Sequence, residues 1–324
     1  MLARLAAAAA LAAAALPFPA ARAADPVRLG NLKFAHYGAV SYLAGHCEKY
    51  GLDVQETVFP KGIDIFPAIV RGEVDIAASA ADAAIANRAG GGQVYVVAGF
   101  ARGGARLVGR ADLDLRSVKD LKGRKVGTAR GGAQELLLLA ELAKAGLTWS
   151  DAPGKDVQLV YLAYADLNQA LLQKQVDAIS QSEPQSSQAI NKGFGKEILK
   201  PYDTPLGEPV RVLVMSERMY REKPDVALRV MKCFVDSTRL FQRDPKLAEQ
   251  YVVQQMFRGQ ITPDDYQDAM SNAAFTTDVT PEHIQVTTDL MARYGVGKMA
   301  SPPRAADWVK LDLLQKAKAE LGVK

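Results

Sequence analysis

Arg130-Gly131-Gly132 stands directly before the apolar run that begins at Ala133, an order of residue types suited to holding an anion. A helix start presents unpaired N–H groups and partial positive charge. Glycines let a ligand approach the backbone closely, and a guanidinium adds a forked pair of hydrogen bonds to a sulfonate or carboxylate. A second loop, KFAHYGAV at 33 to 40, sets Phe34, His36 and Tyr37 beside Gly38; aromatic rings in a cleft give apolar area with a defined orientation. Arg102, flanked by glycines in GFARGGAR, is a second cation that faces either the cleft or solvent. Glu183 would repel an anionic ligand unless it pairs with Arg102, Arg130 or a ligand amine; alternatively it is a structural acid on the hinge side. Gly62, Asp64, Ser79, Asp82, Tyr164 and Gln181 complete the candidate rim by position. All of these are binding groups.

Catalytic and metal patterns are missing. The three histidines, His36, His46 and His283, form no HExxH or other close metal spacing. No G-x-S-x-G elbow occurs. Around Gly193-Phe194-Gly195-Lys196 a phosphate loop fails, because Ile190 stands where its first glycine belongs and Glu197 where Ser or Thr belongs. His46 and Cys47 are adjacent, so on a helix they point about 100° apart and make no base and nucleophile pair. No catalytic residue, metal or cofactor is expected.

The first 24 residues read as a secretory signal peptide: a basic start at Arg4, an apolar run from Leu5 to Leu16, and an Ala21-Arg22-Ala23 exit. That run is too short to span a bilayer. A periplasmic protein with no membrane insertion is expected, and as a monomer. The formal charge of +4 includes Arg4 and Arg22, so the mature chain carries 4 − 2 = +2, too small a bias to argue for nucleic acid. Cys47 and Cys233 could pair in an oxidising compartment if their Cα atoms come within about 7 Å. The sequence leaves this open, and Cys47 reads as a core residue.

These side chains need elements to position them. The mature chain reads as strands alternating with helices, an α/β class with parallel sheets covered on both faces. About 300 residues favour two lobes over one core. The stretch AIVRGEVDIAASAAD, 68 to 82, has a near echo in ALLQKQVDAISQSEP, 170 to 184: a helix, then Val-Asp, then a short apolar strand, as expected of two similar lobes. From Pro224 onward the pattern is helical throughout. Ligands of open α/β sheets bind beyond the carboxyl ends of the strands, which selects the loops after Leu29, Phe59, Ala78, Phe100, Thr128, Leu162 and Ser180.

The segments SVKDLKGRKVGT, ALLQKQVDAI with its Glu183-Pro184 sequel, and VRVLVMSERMYREKPDVA resemble the periplasmic solute-binding proteins of ABC importers for nitrate, sulfonates, taurine and thiamine pyrimidine precursors. The resemblance runs from about Val27 to the last helix. It implies a type II periplasmic-binding fold, two doubly wound lobes joined by two crossovers that close on a small molecule. Lobe 1 would hold 25–108 and 209–324 with the C-terminal helical layer, and lobe 2 would hold 109–208. The crossings are expected near Arg106–Arg110 and Gly207–Val212. The ligand implied is a small organic anion, sulfonate, carboxylate or nitrate-like, and the partners an ABC permease with its ATPase. A pyrimidine-precursor binder and a menaquinone-precursor type of enzyme are the alternatives. Many relatives carry an aromatic residue just before the acid-proline pair where this chain has Ser182, so any stacking wall has to come from elsewhere.

Overall fold

β1 (Asp25–Leu32) and β6 (Arg124–Thr128) begin the two halves of the fold in the same way. The computed structural model describes residues 23–323, so the expected signal peptide lies almost wholly outside the described residues. In the first half the Asp75 carboxylate accepts the Arg28 amide N–H at 3.1 Å, and the Asp75 N–H donates to the Arg28 carbonyl at 2.9 Å. In the second half Asp177 repeats both contacts with Lys125, at 3.0 and 2.8 Å. These aspartates are the Val-Asp pair of the sequence echo. Each side chain accepts an amide N–H of the adjacent strand, and each residue leads into a neighbouring parallel strand, β3 (Ile76–Ala80) or β9 (Ala178–Ser182).

Two six-stranded sheets result. The first sets β2 (Leu52–Phe59), β1 and β3 parallel, then β11 (Val210–Ser216), β4 (Val94–Gly103) and β12 (Ala273–Phe275) antiparallel to their neighbours. The second sets β7 (Trp149–Ser150), β8 (Val157–Tyr161), β6 and β9 parallel, then β5 (Ala105–Arg110) and β10 (Gly195–Leu199) antiparallel. The sheets are thus mixed where parallel ones were expected. In each, the antiparallel strand beside the parallel set is the one that has just crossed from the other sheet.

The first crossing falls at Gly103-Gly104, both with positive φ, +73° and +79°, a region glycine enters without steric cost. It lies earlier than Arg106–Arg110, because β5 pairs with β9 and β10 inside the second sheet. Residues 105–108 therefore belong with the second sheet, although the sequence reading kept them in lobe 1. The second crossing occupies residues 200–209, between β10 and β11.

The C-terminal layer is helical as expected, except that β12 adds a three-residue edge strand. Thr262 and Thr280 cap their helices by accepting the N–H of Asp265 and His283. Helix Pro224–Arg243 packs on helix Asp312–Glu320 and on the short helix Gly38–Ser41. Cys233 on the long helix is disulfide-bonded to Cys47, with Cα atoms 5.5 Å apart, which resolves the pairing the sequence left open. Among the described residues no helix is long and apolar enough to cross a membrane.

Candidate functional site

The carboxyl ends of six parallel strands, β1, β2, β3, β6, β8 and β9, turn toward one another across a cavity of about 250 Å³. From the first sheet come Leu32, Phe34 and Tyr37 after β1, Lys61 to Ile63 after β2, and Ala80, Asp82 and Ala83 at the end of β3. The second sheet supplies Ala129 to Gly132 and Gln134 after β6, Tyr161 to Tyr164 after β8, and Ser182 at the end of β9. Arg211, on β11 just past the second crossing, also lines it.

Arg211 is only 2% exposed. Its Nε donates to His36 Nε2 at 3.3 Å, and its Nη1 has no hydrogen-bond partner. Burial, reinforced by the Arg211 charge, holds the His36 pKa well below its ordinary value. The ring is therefore neutral, and because Nε2 accepts, its proton sits on Nδ1, which has no partner either. Asp82 lies in the first turn of helix Ala81–Ala89, buried, with Oδ2 unpartnered. Burial pushes its carboxyl up to about 7, with the Arg211 charge working in the opposite direction. A buried polar atom without a partner carries a desolvation cost of roughly 1–3 kcal/mol, and three of them cluster here.

The walls are aromatic. Phe34 lies 5.5 Å from Tyr37 and 5.6 Å, edge to face, from Tyr164, so the last pair joins the two halves across the cavity. The Tyr164 hydroxyl donates to Gln134 Oε1 at 2.7 Å. A Cβ on Gly132 would sit 2.1 Å from that hydroxyl, so any other residue there would have to displace it. Tyr161 donates to Glu135 Oε1 at 2.6 Å, and Glu135 Oε2 accepts the Gly131 N–H. One amide of the glycine pair that precedes the helix is thus already occupied by a carboxylate of that helix. Arg130 stacks on the Tyr161 ring, 3.7 Å from its centroid, and pairs with Asp151 at 2.9 Å while 55% exposed. Arg211, buried in the same wall, makes no ion pair among the described residues.

Of the candidates named from sequence, Phe34, Tyr37, Gly62, Asp82, Arg130, Gly131, Gly132 and Tyr164 line the cavity. The others sit elsewhere. His36 is behind the wall, bonded to Arg211. Gly38 is a packing glycine whose Cβ would meet Val252 at 2.5 Å. Asp64 is exposed on helix Gly62–Val70. Ser79 is buried and bonds the Ala80 carbonyl. Gln181 is buried too, donating to the Tyr164 carbonyl at 3.0 Å and accepting from the Ser182 N–H at 2.8 Å. Arg102 belongs to β4, where its backbone partners are Val210 and Ala274. Glu183 takes the hinge-side alternative. It is fully buried, 2.7 Å from Arg106 Nε, and accepts from Asn272 Nδ2 and from the Ser187 N–H and hydroxyl. The Arg106 N–H points off the hydrogen-bond line, so that pair is an ionic contact.

Sequence reasoning missed Arg211, Tyr161, Gln134, Lys61 and Ser182. Arg211 alone left a signal: it is the only charge inside the fully buried strand VRVLVMS, and a buried charge needs a partner or a function. The aromatic wall that Ser182 does not supply comes from Phe34, Tyr37, Tyr161 and Tyr164. Among the described residues no group of three or more His, Cys, Asp or Glu side chains could hold a metal ion.

The NMT1-like family model matches residues 24–256. A Brachyspira hyodysenteriae protein assigned as an ABC transporter periplasmic binding protein is 24% identical over 70% of this chain and 68% of its own; against several other curated relatives the match spans about half their length. Among solved structures, the alkanesulfonate-binding protein of Xanthomonas axonopodis bound to MOPS superposes with a TM-score of 0.73 at 20% identity, covering 88% of this chain and 98% of that one. The periplasmic nitrate-binding protein of Synechocystis does so with a TM-score of 0.77 at 17% identity, covering 92% and 89%. These neighbours share the periplasmic-binding fold expected from the sequence.

Proposed function

We propose that this chain, which belongs to the NMT1-like family, captures a small organic anion between its two lobes in the periplasm and delivers it unchanged to an ABC permease with its ATPase. The observation that carries this reading is the buried Arg211 guanidinium: the residue lines the cavity, and its Nη1 has no hydrogen-bond partner. A cation out of water and without a counter-ion is costly to keep, and a bound oxyanion that docks on it replaces the missing hydrogen bonds with charge-assisted ones. The names of the sulfonate- and nitrate-binding neighbours agree with an anionic ligand.

Closure follows from where the lobes touch. Phe34 meets Tyr164 across the mouth, and the Ala35 N–H donates to the Glu183 carbonyl at 3.4 Å. A ligand that contacts both walls would favour this arrangement over an open one, shifting a hinge equilibrium about the two crossings. Catalysis finds no support in the same geometry. His36 hydrogen-bonds to a guanidinium and not to a hydroxyl or thiol, and Cys47 is held in a disulfide.

The test is thermal unfolding and titration calorimetry of the purified protein against organic sulfonates, organic carboxylates, nitrate and hydroxymethylpyrimidine, followed by mass spectrometry of the recovered solute. An organic anion at about 100 times its Kd should add roughly 2.7 kcal/mol of stability and be recovered intact. Stabilisation by the uncharged pyrimidine alone, or conversion of the solute, would overturn the reading.

A further inference from the structure

The second buried pole of the cavity says more about the ligand, on the premise that an organic anion is what the cavity takes. Arg211 and Asp82 line the same space, each at most 2% exposed, and each has a side-chain polar atom with no partner, Nη1 on one and Oδ2 on the other. A ligand that is only an anion would satisfy Arg211 while setting its charge against the Asp82 carboxylate, or force a proton onto it. One that carries an oxyanion and an N–H donor satisfies both. The same cavity is lined by the rings of Phe34, Tyr37, Tyr161 and Tyr164. The space of about 250 Å³ is some eight times the ~30 Å³ that a water occupies in the liquid, so nitrate or a one-carbon acid would leave most of it to water. Aromatic walls favour an offset or edge-on ring between them.

We infer that the ligand is an amphoteric aryl acid: a ring bearing a carboxylate or sulfonate, held by Arg211, and an amino or ring N–H group, held by Asp82. Arg211 then selects for the acid and Asp82 for the donor, so Asp82 is the specificity-determining residue.

Titration calorimetry at pH 8 with matched probes tests this: 4-aminobenzoate and 4-aminobenzenesulfonate against benzoate and benzenesulfonate, with taurine as an amphoteric acid lacking a ring. Because a hydrogen bond to a charged group contributes about 1.5–3 kcal/mol, at least one amino acid of the pair should bind roughly tenfold or more tighter than its unsubstituted partner. Asp82→Ala should bring the two within about threefold. Equal or tighter binding of the unsubstituted acids by the unaltered protein would overturn the amphoteric assignment while leaving the organic-anion reading in place. Taurine binding more tightly than every aryl acid would overturn the aromatic half of the inference. Failure of the whole acid panel to bind would instead remove the reading beneath it. The unaltered protein alone decides between these outcomes, whether or not the alanine variant folds.

Discussion

Arg211 Nε donates to His36 Nε2 across 3.3 Å, and both side chains are buried. The bond joins β11, after the second crossing, to the loop that follows β1, so it fixes the guanidinium plane from a residue 175 positions away in the chain. Since His36 is neutral and accepts, it orients the cation without cancelling its charge. A guanidinium held in place before the ligand arrives loses less side-chain entropy on binding. Nη1 has no hydrogen-bond partner.

Arg211→Met separates this binding role from a stabilising one. Removing this buried guanidinium, which makes no ion pair among the described residues, should weaken anion binding by tenfold to over a hundredfold, the range of a charge-assisted hydrogen bond of about 1.5–3 kcal/mol. Yet the ligand-free protein should unfold at an equal or higher temperature, because an apolar side chain of similar length replaces a desolvated charge. Calorimetric titration and a melting curve on the same preparation check both halves. A variant that binds normally would show that the anion sits elsewhere.

Gly104→Ala tests the crossing. Gly104 has φ +79°, and a Cβ there would come 2.7–3.0 Å from three atoms of the His36 ring. The substitution combines a left-handed backbone cost of roughly 1–2 kcal/mol with a push on the imidazole that positions Arg211. Stability should fall by about 2 kcal/mol or more, and affinity should fall with it. Gly146→Ala, outside the cavity at φ +72° with no atom within 4 Å of the added methyl, should show the backbone cost alone. Equal losses of affinity in the two variants would mean that His36 does not transmit the effect.

How much of this was legible in the sequence depends on what kind of rule each residue obeys. Phe34, Gly62, Asp82, Gly131 and Tyr164 follow strand ends, and ligand sites at strand ends are a rule of position that needs no tertiary detail. Glu183 was ambiguous because one step decides it. Ser182, the last residue of β9, takes the cavity side, while Glu183, one step past the strand, turns to Arg106. Arg211 was hidden for another reason: VRVLVMS reads as a buried strand, and what makes its arginine a cavity residue is a crossing that returns the chain to the first sheet between β3 and β4. The three residues of β12 are too few to carry a period at all.

Glu183→Ala distinguishes a structural acid from a ligand group. Glu183 is wholly buried against Arg106, itself 3% exposed, which also contacts Asp268 and Glu197. Leaving a buried charge without one of its partners costs about 3–5 kcal/mol in a strict pair. Asp268, on a helix of the C-terminal layer, offsets part of that here. A loss of about 2–4 kcal/mol in denaturant unfolding is expected, with ligand affinity changed less than threefold in whatever fraction remains folded. A large loss of affinity at unchanged stability would return Glu183 to the cleft.

Asp82 should give the protein a pH dependence of unusual sign for a carboxylate. Its pKa is about 7 in the folded chain, raised by burial from the 3.8 of an ordinary aspartate, with Glu135 raising it further and Arg211 opposing. Between those values the folded state keeps a proton that the unfolded state has lost, so this stabilising contribution is full below about 3.8 and disappears as pH rises through 7. His36 runs the other way: its depressed pKa contributes stability above about 6.5 that is lost as the pH falls. The two partly cancel in the unaltered protein. Asp82→Asn removes only the first, so the stability of the unaltered protein relative to this variant should decline from pH 4 to pH 8, by up to about 4 kcal/mol for a shift of roughly three units. Chemical denaturation of both proteins across that range measures the difference. A difference that stays flat would mean that Asp82 is ionised throughout, leaving Arg211 with a counter-ion.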